Sequence, residues 1–274
     1  MYAMQLKQKY VLHDDIIGKG TYGTIKLVQN VLTHKVYACK ILPKYRDFKK
    51  QIEKIEREVS IWKQFQGVPN VCPLIETLED TENYYLVQTH NIGGTMHEFI
   101  KSEHNNERNL KVVVKQILKF LETVHKNDIV YGDIKCHNVM FLDQYEKNLY
   151  INMIDFGCSK RLDGRKYIHG IQGTPYFFPP EFMDNYITTK SDLWALGILI
   201  YYAIVKKYPI LSSEDCFKPG DLKKYIHKIN THKFEYAGIN NLYCKDFLLN
   251  LFKTDPDYRM TAVQALEHPW LQSF

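Results

Sequence analysis

Apolar residues alternate with polar ones along most of the first third of the chain. This alternation is typical of strands that bury one face. One stretch, residues 47–66, instead repeats its apolar residues at three- and four-residue steps, which predicts a helix. The predicted strands lie at 10–30, on both sides of a glycine-rich turn, and at 36–42, 74–78 and 84–88.

Beyond residue 94 the helical repeat dominates. Helices are predicted at 109–126, 190–205, 221–230, 243–252 and 261–267, and short strands at 139–142 and 149–154. A run of strands followed by a run of helices is typical of α+β architecture. We therefore predict one domain, 1–274, with a small antiparallel-sheet lobe and its one main helix at 10–88, a hinge at 89–94 and a larger, mainly helical lobe at 95–274.

The composition describes a folded protein with a mild basic excess. The chain has 274 residues, 45% of them hydrophobic and 14% aromatic, which excludes a disordered protein. Its net charge is +5 without a basic tract, so we expect no nucleic-acid partner. The six cysteines form no C-x-x-C pair and no zinc-ligand spacing, so we expect reduced thiols.

We expect an intracellular, cytoplasmic protein with no membrane partner. The first residues lack the apolar core of a signal peptide. The strongest apolar run, 193–205, is shorter than the ~20 residues that a membrane span needs. Asp192 precedes this run and Lys206 follows it, so we interpret it as a helix buried in a large core.

A glycine-rich motif, G-K-G-T-Y-G, occupies residues 18–23. In a dinucleotide-binding fold such a motif opens a helix, and an acidic residue follows about 20 residues later. Here residues 24–28 alternate as a strand, and the cation Lys40 stands at that distance. Glycines let backbone amides approach phosphate oxygens, and a lysine neutralises their charge. The pattern favours a β-hairpin that covers a triphosphate; an ordinary glycine turn is the alternative.

Glu58 lies inside the apolar arc of the helix predicted at 47–66. On a helical wheel it falls between Ile55 and Phe65, whereas Glu53 and Glu56 fall outside that arc. A carboxylate that faces the core is costly unless it is paired. We expect Lys40 to be this partner; the alternative is a glutamate at the edge of the arc that reaches solvent.

Two predicted loops carry acidic residues within short motifs. Asp133, Lys135 and Asn138 form a D-x-K-x-x-N pattern, and Asp155 opens a D-F-G motif. Carboxylate and amide oxygens suit Mg²⁺, an aspartate can accept a hydroxyl proton, and a lysine can offset developing negative charge. Each acid alone is typical of a turn. Their order after the glycine hairpin, Lys40 and Glu58 indicates a metal–nucleotide site.

This order of motifs resembles the catalytic domain of eukaryotic-type serine/threonine protein kinases over residues 10–271. Further matches are G-T-P at 173–175, P-P-E at 179–181, Asp192 and Arg259. The stretch A-V-Q-A-L-E-H-P-W at 262–270 is most similar to the calcium/calmodulin-dependent group. No EF-hand motif follows it, so the resemblance does not imply control by calcium.

The resemblance implies that the chain binds ATP and Mg²⁺ and phosphorylates serine or threonine hydroxyls of protein substrates. Lys40, held by Glu58, would orient the phosphates, and Asp133 would take the hydroxyl proton. The implied catalytic residues are Lys40, Glu58, Asp133, Lys135 and Thr174, and the implied magnesium ligands are Asn138 and Asp155. We expect these groups to meet around one magnesium-bound triphosphate.

The resemblance also implies a set of nucleotide contacts. Gln88 would stand beside the adenine, and Thr89 and Asn91 would offer backbone groups to the base. The full implied set is Ile17, Gly18, Lys19, Gly20, Thr21, Tyr22, Gly23, Ile25, Ala38, Lys40, Gln88, Thr89, Asn91 and Met140.

Two departures from the family pattern concern regulation. Tyr131 and Gly132 replace the usual H-R of H-R-D, and that arginine normally pairs with a phosphorylated activation loop. The activation loop of this chain, residues 158–178, has no serine or threonine between Ser159 and Thr174. Since both the cation and the acceptor are missing, we predict a kinase that is active without phosphorylation of this loop.

Two further departures concern the peptide substrate. Thr95 and His137 stand where basophilic relatives often carry acids, so we expect no strong preference for arginine upstream of the phosphoacceptor. Glu98 is the acid that would compensate. The alternatives to a protein kinase are a pseudokinase that acts as a nucleotide-binding scaffold, and a kinase for small molecules; the oligomeric state stays open.

Overall fold

The computed structural model describes residues 6–20, 23–44, 48–145, 147–170, 172–209, 236 and 238–272. These residues form two compact units, Met1–Ile92 and Gly93–Phe274, and the division falls within the segment predicted as the hinge. The helix predicted at 221–230 lies outside the described residues.

The first unit is built on a five-stranded antiparallel sheet. Its strands are β1 (Tyr10–Gly20), β2 (Gly23–Asn30), β3 (Val36–Pro43), β4 (Leu74–Glu79) and β5 (Asn83–Thr89). They lie in the order β1-β2-β3-β5-β4, so β3 is the central strand and pairs with β2 and β5. A short helix α1 (Leu6–Lys9) precedes the sheet, and the main helix α2 (Phe48–Gln64) follows β3.

One cluster of buried residues holds the start of this unit together. Tyr10 packs at right angles against Tyr37, with ring centroids 6.1 Å apart. Burying such apolar and aromatic side chains is the main force that stabilises the sheet. The cluster consists of Leu6, Tyr10, Val28, Cys39, Tyr85 and Val87.

The second unit is mainly helical. Its helices are α3 (Met96–Lys101), α4 (Glu107–Lys126), α5 (Thr189–Val205), α6 (Leu242–Leu251), α7 (Ala262–Glu267) and α8 (Pro269–Gln272). Helix α4 begins at Asn106, whose side chain accepts from the Asn109 amide, and it buries one apolar stripe. Helix α5 begins with a capping box at Thr188 and Ser191 and is buried on nearly all sides.

Short strands and turns between α4 and α5 position the loops of interest. The strands pair as β6 (Ile129–Val130) with β9 (Lys160–Arg161), β7 (Val139–Phe141) with β8 (Ile151–Met153), and β10 (Ile168–His169) with β11 (Tyr186–Ile187). Asp133 therefore lies in the loop between β6 and β7, and Asp155 lies just after β8.

The α+β prediction is confirmed, and the strands and long helices predicted within the described residues have counterparts within a few residues. Helix α3 was not predicted, because its six residues are too few to reveal a helical repeat. Among the described residues, no helix combines the length and the apolar character that crossing a bilayer requires.

Candidate active site

The glycine-rich motif forms the hairpin of β1 and β2. Gly18 pairs with Ile25, and Gly20 pairs with Gly23. A Cβ on Gly23 would lie 2.0 Å from the carbonyl oxygen of Ile41, so only glycine lets β2 approach β3 at this point. Ile17 and Lys19 are exposed, and Ile25 is half-buried. Thr21 and Tyr22 lie outside the described residues.

Lys40 and Glu58 form a buried ion pair in the first unit. Lys40 lies on β3 between Ile25 and Leu86 in the register of the sheet, and its Nζ is 2.8 Å from Oε1 of Glu58 on α2. Glu58 is only 4% exposed, which agrees with its position inside the apolar arc of the helix. Because a buried carboxylate needs a partner, this pair fixes both the ammonium group and the helix.

The residues expected around the adenine lie on β3, on β5 and just beyond β5. Ala38 and Gln88 are paired neighbours on the two strands, and both are buried. The Thr89 amide donates to the carbonyl of Pro73, 3.0 Å away, so this amide is engaged within the first unit. The Asn91 side chain is buried and its Nδ2 contacts Cys72 Sγ at 3.5 Å.

Asp133 is the centre of a hydrogen-bond network in the second unit. Lys135 Nζ lies 2.6 Å from its Oδ2, and the Thr174 hydroxyl donates to its Oδ1 at 3.0 Å. Asn138 Nδ2 donates to the same Oδ2, 2.9 Å away, and also to the backbone carbonyl of Asp133. Three donors therefore hold the carboxylate in one orientation, although Thr174 lies 41 residues away along the chain.

Asp155 and Asn138 fit a magnesium site. The amide of Ile154, the residue before Asp155, donates to the carbonyl of Asn138 at 3.0 Å. This hydrogen bond joins the segment that carries Asp155 to the segment that carries Asn138. Asp155 adopts a left-handed conformation with φ of 63°, and its Oδ1 accepts from the Gly157 amide. One carboxylate and one amide oxygen, completed by phosphate oxygens and water, are typical of Mg²⁺. The described residues contain no cluster of three His, Cys, Asp or Glu that would hold a metal without them.

Asp192 positions the backbone just before Asp133. Its two carboxylate oxygens accept from the amides of Tyr131 and Gly132, at 2.9 and 2.8 Å. His125 Nε2, at the end of α4, lies 2.9 Å from the same carboxylate. Sequence reasoning missed His125, because no local pattern distinguishes it from the other histidines.

Tyr131 anchors the same loop to the D-F-G segment. Its hydroxyl donates to the carbonyl of Ile154, and its ring packs edge-to-face against Phe156 with centroids 5.6 Å apart. Phe120 packs edge-to-face against both rings. Tyr131, which replaces the usual histidine of H-R-D, is therefore held between the loop of Asp133 and Phe156.

The structure thus assembles the sequence-predicted residues in two groups. In the first unit it joins Lys40 to Glu58, and in the second unit it joins Asp133 to Lys135, Asn138 and Thr174. Met140 lies on β7, opposite Asn152, and makes a bridge to Thr95.

Comparison with known proteins shows the family of this chain. The protein kinase domain family model matches residues 11–271. The chain is 29% identical to calcium-dependent protein kinase 14 of Arabidopsis thaliana over 98% of its own length and 50% of the relative's. It is 30% identical to calcium-dependent protein kinase 3 of Plasmodium yoelii yoelii over 99% of its own length and 49% of the relative's. The chain spans about half the length of these curated relatives. From the family match, the order of its motifs and the arrangement of both groups of residues, we conclude that the chain belongs to the protein kinase domain family.

Proposed function

We propose that this chain is an active serine/threonine protein kinase that transfers the γ-phosphoryl group of ATP to a hydroxyl of a protein substrate. The observation that carries the proposal is the carboxylate of Asp133, held by Lys135, Asn138 and Thr174. A carboxylate oriented by several donors, with a lysine beside it, suits proton acceptance during phosphoryl transfer.

In this mechanism Asp133 orients the substrate hydroxyl and takes its proton. The hydroxyl oxygen forms a bond to the γ-phosphorus, the bond from that phosphorus to the bridging oxygen breaks, and ADP leaves. Lys135 supports the negative charge on the transferring group, and Lys40, held by Glu58, binds phosphate oxygens of ATP. Asp155 and Asn138 would hold Mg²⁺, which would neutralise the charge of the phosphates when bound.

We further propose that this kinase needs no phosphate on its activation segment. Ser159 is fully buried and its hydroxyl donates to the carbonyl of Tyr131 at 2.8 Å. The Thr174 hydroxyl lies in the Asp133 network. Gly132 offers no cation that would pair with a phosphate.

Other contacts within the second unit position this segment in place of a phosphate–arginine pair. Strand β9 pairs with β6, and β10 pairs with β11. Lys160 Nζ donates to the carbonyl of Gly170 at 2.7 Å, and Lys166 Nζ lies 2.6 Å from Oδ2 of Asp257. These contacts hold the segment in place without a charged modification, which supports the proposal.

Turnover of ATP with a mixed serine/threonine peptide library tests the phosphoryl-transfer proposal. Asp155→Asn is expected to lower turnover by at least roughly 10²-fold, by analogy with other preorganised electrostatic groups. Asp163→Asn, at an exposed aspartate of the activation segment, is the matched control. Near-normal turnover by Asp155→Asn contradicts the assignment, and absence of turnover by the unmodified chain favours the pseudokinase alternative.

Mass spectrometry combined with phosphatase treatment tests independence from phosphorylation. We expect the phosphatase-treated enzyme to keep its activity. A loss of activity that accompanies removal of phosphate from Ser159, Tyr167 or Thr174 contradicts this second proposal and leaves the first one intact.

A further inference from the structure

Five aromatic side chains of the second unit form a continuous stack, called here the ring row. In spatial order its members are His137, His97, Tyr202, Tyr208 and Tyr176. Successive ring centroids are 4.9, 6.4, 4.6 and 5.1 Å apart, and successive ring planes differ by 22°, 1°, 11° and 27°. The members come from distant parts of the chain, so the fold rather than a local repeat assembles the row.

Both ends of the ring row border the Asp133 network. His137 directly precedes Asn138, whose Nδ2 donates to Asp133. Tyr176 follows two residues after Thr174, whose hydroxyl donates to the other oxygen of the same carboxylate. A polypeptide that presents a hydroxyl to Asp133 therefore brings the residues next to that hydroxyl within reach of the row.

The ring row is accessible from solvent. His137 is exposed, and His97, Tyr202, Tyr208 and Tyr176 are half-buried. Partly exposed aromatic rings offer a large apolar contact area at little conformational cost, which makes them suited to bind another side chain.

The charges around the row disfavour a basic side chain. Burial lowers the pKa of His97, and the nearby Lys101 lowers it further, which favours the neutral form of this ring. Lys135 also faces His137 and repels a cation. Glu98 is the acid that faces the two histidines, and its Oε2 already accepts from the Thr95 amide at 2.6 Å and from the Thr95 hydroxyl at 2.9 Å.

A cation can also bind to the face of an aromatic ring. In the ring row, however, the faces of His97, Tyr202 and Tyr208 are directed at their stacked neighbours. Removing a guanidinium from water without a carboxylate partner is unfavourable. An uncharged side chain is therefore the better match.

We propose that the ring row is a specificity subsite that accepts an aromatic or large aliphatic side chain of the protein substrate, close in sequence to the phosphoacceptor. This inference rests on the proposed phosphoryl transfer. It goes further, because it names the class of substrate residue that the kinase selects.

A positional peptide library around a central serine tests the subsite. For the unmodified enzyme we expect kcat/KM about 10-fold higher with phenylalanine or leucine than with alanine at one flanking position, the size of effect typical of an apolar pocket. Tyr202→Ala is expected to bring this ratio of kcat/KM values close to one. Tyr202→Phe, which keeps the ring, is expected to preserve the ratio. His137→Glu is expected to raise the ratio of arginine to phenylalanine peptides.

The ratio between two peptides does not depend on how much of a variant is folded, so a loss of folded enzyme cannot imitate the result. Tyr150→Ala, which removes an exposed tyrosine outside the row, is the control and is expected to keep the ratio. A preference for arginine, no preference at any flanking position, or an unchanged preference in Tyr202→Ala overturns the inference while phosphorylation itself persists. No phosphorylation of any peptide overturns the proposed function instead.

Discussion

Arg259 donates to both carboxylate oxygens of Glu181, at 2.8 and 2.9 Å, and both side chains are fully buried. Ser191 Oγ donates to the same carboxylate at 2.7 Å. The two partners lie 78 residues apart in the chain, so the pair ties the segment after the activation loop to the end of the second unit. Because the two charges compensate each other, removing one side chain leaves an uncompensated charge in the core.

We predict that Arg259→Met and Glu181→Gln each lower the free energy of unfolding by about 3–5 kcal/mol, measured by urea denaturation. The double variant is expected to be much less destabilised than the sum of the two single variants, because it leaves no charge without a partner. Strictly additive effects contradict this account of the pair.

Gly132 has a left-handed φ of 82°, and a Cβ there would lie 2.8 Å from the carbonyl oxygen of Cys158. Gly164 has a similar φ of 75° but nothing within 4 Å of the corresponding position. We predict that Gly164→Ala costs about 1–2 kcal/mol of stability for the backbone conformation alone. Gly132→Ala is expected to cost more, because a backbone carbonyl must also move. Equal losses for the two variants in urea denaturation contradict the predicted clash.

Ser159 is buried and donates to the carbonyl of Tyr131, so its hydroxyl has a structural role. We predict that Ser159→Ala retains most of the kinase activity and loses about 1 kcal/mol of stability, the usual worth of one buried hydrogen bond. A collapse of activity at unchanged stability, measured by turnover and by denaturation of the same preparation, indicates instead that Ser159 is a regulatory site.

Burial raises the pKa of the Cys39, Cys72, Cys136 and Cys244 thiols to about 12. We therefore predict that these four thiols resist iodoacetamide at pH 8.5 in the folded protein and react in urea, because the thiolate is the nucleophile. Cys158, which is half-buried, is the internal comparison. Rapid alkylation of the four thiols in the folded protein, located by mass spectrometry, contradicts the prediction.

The same thiols make stability depend on pH. In the folded state they keep their protons to a higher pH than in the unfolded state. The contribution of these protonated thiols to the stability of the folded state is therefore fully present below about pH 9 and is lost as the pH rises towards 12. The free energy of unfolding is therefore expected to fall as the pH rises through that window. A flat stability from pH 9 to 11, measured by urea denaturation, contradicts the raised pKa values.

Local patterns predicted the features that a few neighbouring residues determine. Glu58 was expected to be buried because its own helix places it inside the apolar arc, and it is buried and paired with Lys40. The hairpin around the glycines was predicted from the alternation that follows them. In such cases the period of the sequence carries the information directly.

Contacts between distant segments had no such signal. Thr174 contacts Asp133 across 41 residues, and only the resemblance to kinases pointed to this pair. The contact of His125 with Asp192 and the ring row were not predicted, because each depends on how separate helices and loops pack. The family pattern indicated that His137 and Thr95 replace acids, and the structure adds the stacked tyrosines and the engaged carboxylate of Glu98.

The most direct test of the central claim is phosphoamino-acid analysis of a peptide library after reaction with γ-labelled ATP, comparing the unmodified chain with Asp133→Asn. The account predicts phosphoserine and phosphothreonine, little phosphotyrosine, and a rate at least roughly 10²-fold lower for Asp133→Asn. Label confined to tyrosine, or equal rates for both proteins, contradicts the assignment of Asp133 as the base of a serine/threonine kinase.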